Sequence, residues 1–239
     1  MNSFDNDQAN ISWNAGGSET QWNIEWGAPG FTPGTGTAAG TATATDTTYT
    51  ITGLDGDTEY DIYVSANCGT GTTAGDWAAT DVQTDCDPMP AVGYCEDFED
   101  IAALGCWRVL NENGDGDVWG IYTGYANSGT QSAGIYTDYN AGNNNDYLVL
   151  PRLTLTGNEV MTFHYRARSS SEPNDYRVVL STTGYEAADF TNVLLTDTVN
   201  NTVYNDTMIN LSAYTGDVYI AFHVPQGGLD GYYLYIDDV

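Results

Sequence analysis

The stretch VMTFHYRARS, residues 160–169, alternates bulky apolar side chains with polar ones along its length. Successive side chains of a strand point to opposite faces of a sheet. One face therefore carries Met161, Phe163, Tyr165 and Ala167, and the other carries Thr162, His164, Arg166 and Arg168. The stretch predicts a half-buried strand with its apolar face against a core.

The same alternation recurs at residues 217–224, DVYIAFHV, where Val218, Ile220, Phe222 and Val224 share one face. The predicted strands from here outward are 107–111, 119–121, 131–136, 147–150, 160–168, 176–181, 192–196, 207–211, 218–224 and 232–239. About ten strands in some 150 residues predict a two-sheet sandwich of the jelly-roll type. His164 and His223 lie opposite the apolar faces, which predicts half-exposed sheet positions for both.

The first third of the chain carries a second set of strand patterns. ANISW at 9–13 places Trp13 inward, and Trp22, Ile24 and Trp26 fall at spacing two. Residues 27–48 predict a long loop with one weak strand, and two strands follow within 49–66. The prolines of CDPMPAV mark a linker at 87–91. We therefore expect an all-β protein with one domain at 1–86 and another at 92–239.

Charge narrows the classes of partner. The 239 residues include 33 acidic and only 5 basic side chains, for a formal charge of -28. The basic residues are Arg108, Arg152, Arg166, Arg168 and Arg177. Such a surface repels nucleic acid and anionic lipid, and it attracts divalent cations. No apolar run reaches membrane-spanning length, so we expect neither nucleic-acid binding nor membrane insertion.

The cysteines bear on the compartment. MNSFDNDQ at residues 1–8 has no signal-peptide character, which leaves a cytoplasmic protein or a form whose signal is missing. An even cysteine number without metal or redox spacing favours two disulfides and export. We expect Cys68 to pair with Cys86 and Cys95 with Cys106, one of three possible connectivities.

Oxygen-bearing side chains recur in NENGDGDVW, residues 111–119. Asn111, Asn113, Asp115 and Asp117 alternate with glycines, a pattern that suits either a calcium loop or a solvated turn. It is not an EF-hand, because the late acidic residue and the flanking helices are missing.

A second acidic set is spread along the chain. It comprises Glu96, Asp97, Glu99, Asp100, Asp146, Asp237 and Asp238. The first and last strands of a jelly roll lie close together, so carboxylates gathered there would repel one another unless a cation sat between them. The alternative is that they are ordinary surface acids.

Catalytic motifs are missing from the sequence. There is no G-x-S-x-G elbow, histidine-rich metal motif or phosphate-binding loop, and no carboxylate pair stands out. We therefore predict no catalytic residue and a protein that is not an enzyme.

Arginines and tyrosines offer another route to function. Arg166, Arg168 and Arg177 suit either cross-strand pairs with acids, which we favour, or contacts to an anionic or sugar ligand. Tyrosines cluster at 122, 125, 136 and 139 and again at 232, 233 and 235. Aromatic platforms stack on sugars and suit protein interfaces, although turn and core roles explain the tyrosines equally well.

Residues 8–86 resemble a fibronectin type III domain. The resemblance lies in inward Trp13, the Leu54-x5-Tyr60 corner, the Y-x-I-x-V-x-A run at 60–66 and the ending Cys68…Trp77…Cys86. The chain departs from the family at its start, where MNSFDNDQ is a poor candidate for the first strand. We expect either a beginning inside a longer protein or a sheet edge filled by something else.

The second domain resembles the cleaved-adhesin domain of gingipain-type surface proteins, a relative of MAM domains. Seven phrases carry the resemblance, in order CEDFED, GCWRVLNENGDGDVWG, NNNDYLVLPRLTL, VMTFHYRARS, DYRVVLSTTG, INLSAYTGDVYIAFHV and YYLYIDDV. The resemblance implies a jelly roll with structural calcium, in modules of secreted or surface-anchored bacterial proteins. It also implies Glu99 and Asp237 or Asp238 as calcium ligands, and it favours calcium at 111–117.

Together these features predict a non-enzymatic, calcium-stabilised adhesion or binding module at the outside of a bacterial cell. Its expected partner is a surface protein, a glycan or a further copy of itself. Two alternatives stay open at this point. One is a structural subunit of an extracellular filament or sheath, motivated by the unclear first strand and by a chain that stops within its final strand. The other is a carbohydrate-binding accessory module of a secreted hydrolase.

Overall fold

The structure is a computed structural model that describes residues 3–67, 76–137, 144–227 and 231–239, without the side chains at positions 3, 4, 102 and 103. The chain forms two compact units, Met1–Asp87 and Pro88–Val239. Each unit is built from β-sheets packed as a sandwich, which confirms the predicted all-β fold class. The described helices are short 3-10 turns at Ile101–Cys106 and Ala187–Asp189.

Unit 1 pairs a three-stranded sheet with a four-stranded one. Its strands are β1 (Ser3–Phe4), β2 (Gln8–Ser12), β3 (Trp22–Gly27), β4 (Gly40–Ala44), β5 (Thr48–Thr52), β6 (Glu59–Ala66) and β7 (Ala78–Gln83). The sheet orders are β1-β2-β5 and β4-β3-β6-β7. Ile24, Ile51 and Ile62 are almost fully buried between the sheets, as the spacing-two pattern predicts.

The start of the chain differs from the sequence prediction. Ser3 and Phe4 form a short strand opposite Asn10 and Ala9 of β2. The prediction that MNSFDNDQ is a poor candidate for the first strand is therefore wrong. Two residues are too few to show an alternating pattern, and their backbone groups pair without one.

Unit 2 pairs a five-stranded sheet with a seven-stranded one. Its strands are β8 (Met89–Pro90), β9 (Arg108–Asn111), β10 (Gly120–Thr123), β11 (Gln131–Tyr136), β12 (Asp146–Val149), β13 (Leu153–Leu155), β14 (Val160–Ala167), β15 (Asn174–Ser181), β16 (Asn192–Val199), β17 (Asn205–Asn210), β18 (Gly216–Val224) and β19 (Tyr233–Asp237). The five-stranded order is β10-β11-β19-β14-β17. The other sheet runs β16-β15-β18-β12-β9, with β13 beside β18 and β8 beside β13. Part of the predicted linker at 87–91 thus forms β8.

The core of unit 2 lies between these sheets. Phe163 of β14 meets Phe222 of β18 edge to face at a centroid distance of 4.8 Å, and neither ring is exposed. Burying one such side chain stabilises a fold by about 1.5–3 kcal/mol. The last strand, β19, lies between β11 and β14 and is paired on both sides.

A second apolar layer covers the outer face of the seven-stranded sheet. Tyr147, Val149, Val179, Tyr219 and Ala221 pack there under residues from the segment between β15 and β16, including Tyr185 and Phe190. Because of this cover, His223 is only 7% exposed, so the predicted half-exposed position is wrong. Its ring stacks on Tyr147 at 3.9 Å, and burial, together with the charge of Arg177, lowers the pKa of His223 to about 4.

The cysteine prediction needs a correction. Cys95 is an exposed free thiol, whereas Cys86 and Cys106 are both disulfide-bonded, so Cys95 and Cys106 are not paired with each other. The connectivity could not be read from the sequence, because it depends on where the fold places each side chain. Cys68 lies outside the described residues.

Within the described part of the chain, no helix has the length and apolar character needed to cross a bilayer.

Candidate functional site

The outer face of the five-stranded sheet gathers tyrosines from distant parts of the chain. Tyr136 of β11 lies opposite Tyr233 of β19, and Gly134 lies opposite Tyr235. Residues directly opposite in an antiparallel pair share a face of the sheet. We call this surface the tyrosine face, and its members are Tyr122, Tyr125, Tyr136, Tyr232, Tyr233, Tyr235, Arg166 and Arg168. Tyr139, which belonged to the predicted cluster, lies outside the described residues.

The rings of the tyrosine face contact one another continuously. Tyr125 stacks on Tyr235 at 4.7 Å with an interplanar angle of 8°. Tyr136 packs against Tyr232 at 5.6 Å and against Tyr233 at 4.9 Å. Tyr235 is completely buried and its hydroxyl has no hydrogen-bond partner, while the other tyrosines are half-buried. The result is a packed floor under partly exposed rings.

Gly134 leaves space for the packed rings of Tyr235 and Tyr122. A Cβ at that position would lie 2.7 Å from Cδ1 of Tyr235 and 3.0 Å from Cδ2 of Tyr122. Real Cβ atoms do not approach other atoms so closely, so only glycine lets both rings lie across β11.

Two arginines lie against these rings. The guanidinium carbon of Arg168 is 4.8 Å from the ring centroid of Tyr232, 5.1 Å from that of Tyr233 and 5.3 Å from that of Tyr125. That of Arg166 is 5.8 Å from the centroid of Tyr125. These are cation–π distances.

The predicted cross-strand pairing of arginines with acids is wrong. Among the described residues, no carboxylate lies within 4.0 Å of Arg166, Arg168 or Arg177. The strand register explains this result, because the residue opposite Arg166 is Tyr235 and those opposite Arg177 are Thr196 and His223.

Three predicted calcium ligands, Glu99, Asp237 and Asp238, accept hydrogen bonds from the loop at 124–130, which joins β10 to β11. Oε1 of Glu99 accepts the N–H groups of Thr130 and Gln131, both at 2.6 Å. Oδ2 of Asp237 accepts the N–H of Asn127 at 2.5 Å, and Asp238 accepts the Asn127 side-chain amide at 2.7 Å.

Each carboxylate oxygen of Glu99, Asp237 and Asp238 accepts at least one hydrogen bond or faces His164. Donor groups of the loop therefore satisfy most of the acceptor oxygens of these three carboxylates. It also carries Tyr125 to its place over Tyr235. Burial raises the pKa of Asp237 to about 6, against the N–H bond from Asn127.

The predicted loop at 111–117 is closed by its own side chains. Asn111 accepts from the N–H of Gly114 and donates to the carbonyl of Asp115, both at 2.7 Å. Asn113 donates to Oδ2 of Asp115 at 2.6 Å, and Oδ1 of Asp115 accepts the N–H of Asp117 at 2.8 Å. These bonds are the turn chemistry that short polar side chains favour.

Asp146 is the member of the predicted set that fits a cation. It lies opposite Asn111 in the β12–β9 pair, is fully buried, and its Oδ1 has no hydrogen-bond partner. Burial, with the charges of Asp115 and Asp117, raises the pKa of Asp146 to about 6. Its Oδ2 accepts the N–H of Asn145 at 3.1 Å, so only Oδ1 lacks a donor. A buried carboxylate with one unsatisfied oxygen beside two other acids is an arrangement that a hard cation stabilises.

Geometry limits the assignment of ligands. Within the described residues, no three carboxylates bring oxygens within 4.8 Å of one another. Bound calcium would use Asp146 with oxygens of Asn111, Asp115 or Asp117, and its role there would be to neutralise the buried charge. Glu96, from the same predicted set, accepts instead the N–H of Phe98 at 2.7 Å.

Two further features of unit 2 are a cavity and the side chain of His164. A cavity of about 400 Å³ is lined mainly by apolar side chains, including Leu150, Met161 and Ile220. Glu96 and Glu159 at its edge are both engaged as hydrogen-bond acceptors. His164 has Nδ1 at 3.6 Å from Oδ2 of Asp238, which is beyond hydrogen-bond distance.

The fold and the tyrosine face define a jelly-roll module with an aromatic surface suited to binding. The chain belongs to the Cleaved Adhesin Domain family, whose profile matches residues 92–239. This confirms the resemblance noted for the second domain.

Individual relatives agree with this membership. Hemagglutinin A of Porphyromonas gingivalis is 31% identical over 176 residues, which cover 60% of this chain but only 6% of the relative. The K1 cleaved adhesin domain of Lys-gingipain from P. gingivalis W83 superposes with a TM-score of 0.51 at 26% identity, covering 61% of this chain and 94% of that domain. The K2 domain gives a TM-score of 0.51 at 22% identity over 61% and 94% of the two chains, which shows the fold alone.

Proposed function

We propose that this chain is a non-enzymatic adhesion module of a larger secreted or surface-anchored protein, and that the tyrosine face contacts its ligand. The observation that carries the proposal is the position of Arg166 and Arg168 against half-buried tyrosine rings. Tyrosine and arginine are the residue types enriched where proteins bind partners. Membership of the Cleaved Adhesin Domain family supports an extracellular role.

The histidines support a non-catalytic reading. His223 is buried against Tyr147, and burial keeps its ring neutral at physiological pH. The nearest polar partner of its Nε2 is the Asn145 side chain at 3.0 Å, which is not a nucleophile.

Calcium in this proposal is a structural ion. It binds beside Asp146 and the loop at 111–117 and offsets the cost of burying that carboxylate. Calcium at Glu99, Asp237 and Asp238 stays a prediction, since the loop at 124–130 already supplies donors to these acids.

For unit 1 we propose a fibronectin type III-like domain, with domains at 1–86 and 92–239 around residues 87–91. Two features support this proposal. The sheet orders β1-β2-β5 and β4-β3-β6-β7 describe an Ig-like sandwich. The Asp55 N–H donates to the hydroxyl of Tyr60 at 3.0 Å, as a tyrosine corner requires.

A carbohydrate-binding accessory module is the second candidate, favoured by the same tyrosine rings. The filament alternative stays a prediction. Its support is weaker than the sequence suggests, since β1 pairs with β2 and β19 is paired on both sides.

The test compares the full chain with an R168Q/Y232A variant on a glycan array and on a panel of extracellular-matrix and cell-surface proteins. R152Q is the matched control, since Arg152 pairs with Asp217 at 3.3 Å away from the tyrosine face. We expect every ligand captured by the wild type to be lost by the face variant and retained by the control. Equal capture by all three proteins would contradict the proposal.

A further inference from the structure

We propose that the tyrosine face binds a saccharide bearing a carboxylate, with the sugar ring on the tyrosines and the carboxylate on Arg168. The inference rests on the binding role proposed above and names the chemical class of the ligand.

The rings supply the sugar-binding half of the site. Tyr136, Tyr232 and Tyr233 are half-buried and lie in mutual contact, with centroids 4.9 to 5.6 Å apart. Their packing fixes the rings before a ligand arrives, which lowers the entropy lost on binding. A tyrosine ring offers an apolar surface to the C–H face of a sugar and a hydroxyl to its polar edge.

Arg168 supplies the other half. Its side chain is exposed, and within the described chain no carboxylate lies within 4.0 Å of it. An arginine free of acids is unexpected in a protein with 33 acidic residues. Stacking on Tyr232 and Tyr233 restrains the guanidinium, whose planar fork then suits two parallel hydrogen bonds to a carboxylate.

The net negative charge of the protein limits how much negative charge its ligand can carry. With a net charge of -28, the protein repels dense polyanions at long range. Two arginines on one aromatic surface compensate locally for a single acid group. The ligand chemistry that satisfies both conditions is a largely neutral saccharide with isolated carboxylates. Uronic acids and sialic acids share that chemistry.

The experiment uses isothermal titration of the full chain with two matched pairs of sugars. One pair is xylotriose carrying a single glucuronic acid and unsubstituted xylotriose, and the other is 3′-sialyllactose and lactose. We expect one acid form to bind at least about tenfold more tightly than its neutral partner, and the pair that shows the difference identifies the source of the carboxylate. R168Q should remove the difference, and R152Q should keep it.

Two results would overturn the inference. One is equal affinity for the acid and neutral forms of both pairs, and the other is an acid preference that survives R168Q. If neither pair binds but another ligand is captured through the tyrosine face on the arrays, the inference fails and the proposed function stands. If nothing is captured through that face, both fail. Thermal melting of R168Q in parallel separates lost binding from lost folding.

Discussion

Tyr125, carried by the loop at 124–130, stacks on the buried ring of Tyr235 at 4.7 Å and 8°. The loop is held by Glu99, which lies 31 residues before Thr130 in the sequence and accepts its N–H and its hydroxyl. The position of Tyr125 on the tyrosine face therefore depends on carboxylates that lie far from it in the sequence. Backbone donors at Gln131 and Asn127 complete the connection, through Glu99 and Asp237 respectively.

We predict that E99Q loosens this loop. A glutamine keeps one acceptor oxygen but loses the charge that strengthens the bonds from Thr130 and Gln131. Hydrogen exchange of those two amides should accelerate by on the order of tenfold, with a weaker ring-current shift on Tyr235. E112Q is the control, because Glu112 is exposed and directly follows β9, an edge strand of the seven-stranded sheet. Unchanged exchange at Thr130 would refute the proposed support.

Gly134 gives a second test of the tyrosine face. G134A places a Cβ 2.7 Å from Cδ1 of Tyr235, so the rings must shift. Overpacking of this kind costs about 1–3 kcal/mol of unfolding free energy, and ligand capture by the face should fall with it. G120A is the matched control, since Gly120 pairs with Gly134 in the β10–β11 register and has no atom within 4 Å of its would-be Cβ. Equal stability of the two variants would contradict the tight fit.

The sequence could reveal the strands because alternation is a local property. Each strand predicted in the second domain has an observed counterpart, and Gln131–Tyr136 matches at both ends. Met89–Pro90 and Leu153–Leu155 escaped prediction, because two or three residues cannot show alternation. Pairing with each other and with β18 defines them as strands.

The site was less accessible to prediction, because its members come from different segments. The tyrosine clusters were visible in the sequence, but the β11–β19 register that joins Tyr136 to Tyr233 was not. Charge alone predicts acidic partners for Arg166 and Arg168, because nothing local in the sequence shows that the neighbouring strand offers tyrosines. A glycine inside a strand often marks a close approach, so Gly134 is a local feature that could have indicated the tight packing of these rings.

Asp146 provides a test of calcium binding in which the variant is expected to melt at a higher temperature than the wild type when calcium is removed. Its pKa of about 6, against the ordinary value of 3.8, means that the buried charge costs the calcium-free fold roughly 2 kcal/mol or more at neutral pH. In chelator, D146N should therefore melt above the wild type by about 5 °C. Added calcium should raise the wild-type melting temperature and leave D146N nearly unchanged.

D206N is the control for loss of an exposed charge. It should respond to calcium like the wild type, because Asp206 lies on β17 and away from the loop at 111–117. A wild-type melting temperature that ignores both calcium and chelator would contradict the structural ion.

Glu159 predicts a separate dependence on pH. It accepts the Thr156 hydroxyl at 2.5 Å and the N–H groups of Thr156, Gly157 and Asn158, and the hydroxyl bond is the main cause that lowers its pKa to about 2. The folded state thus binds a proton less readily than the unfolded chain. Stability from Glu159 is fully present above pH 4.5 and is lost as the pH falls towards 2.

The variant that tests this is E159Q, measured by thermal melting between pH 7 and pH 2. It should melt below the wild type at pH 7, and the gap should close as the wild-type carboxylate becomes protonated. E112Q, at an exposed glutamate, should follow the wild-type curve throughout. A gap that stays constant with pH would show that Glu159 contributes only through shape.

Tyr60 tests the proposed corner of unit 1, because its hydroxyl accepts the N–H of Asp55 while its ring is only 8% exposed. Y60F removes the acceptor of that N–H, and because Asp55 is exposed the cost should be that of one ordinary hydrogen bond, about 0.5–1.5 kcal/mol. Y63F is the control on the same strand, since the Tyr63 hydroxyl reaches Asp61 only at 3.5 Å. Native-state hydrogen exchange of β6 should show faster opening in Y60F alone. Equal exchange in both variants would mean that the bond from Asp55 to Tyr60 does not stabilise the sandwich, and the fibronectin type III proposal would lose one of its two structural supports.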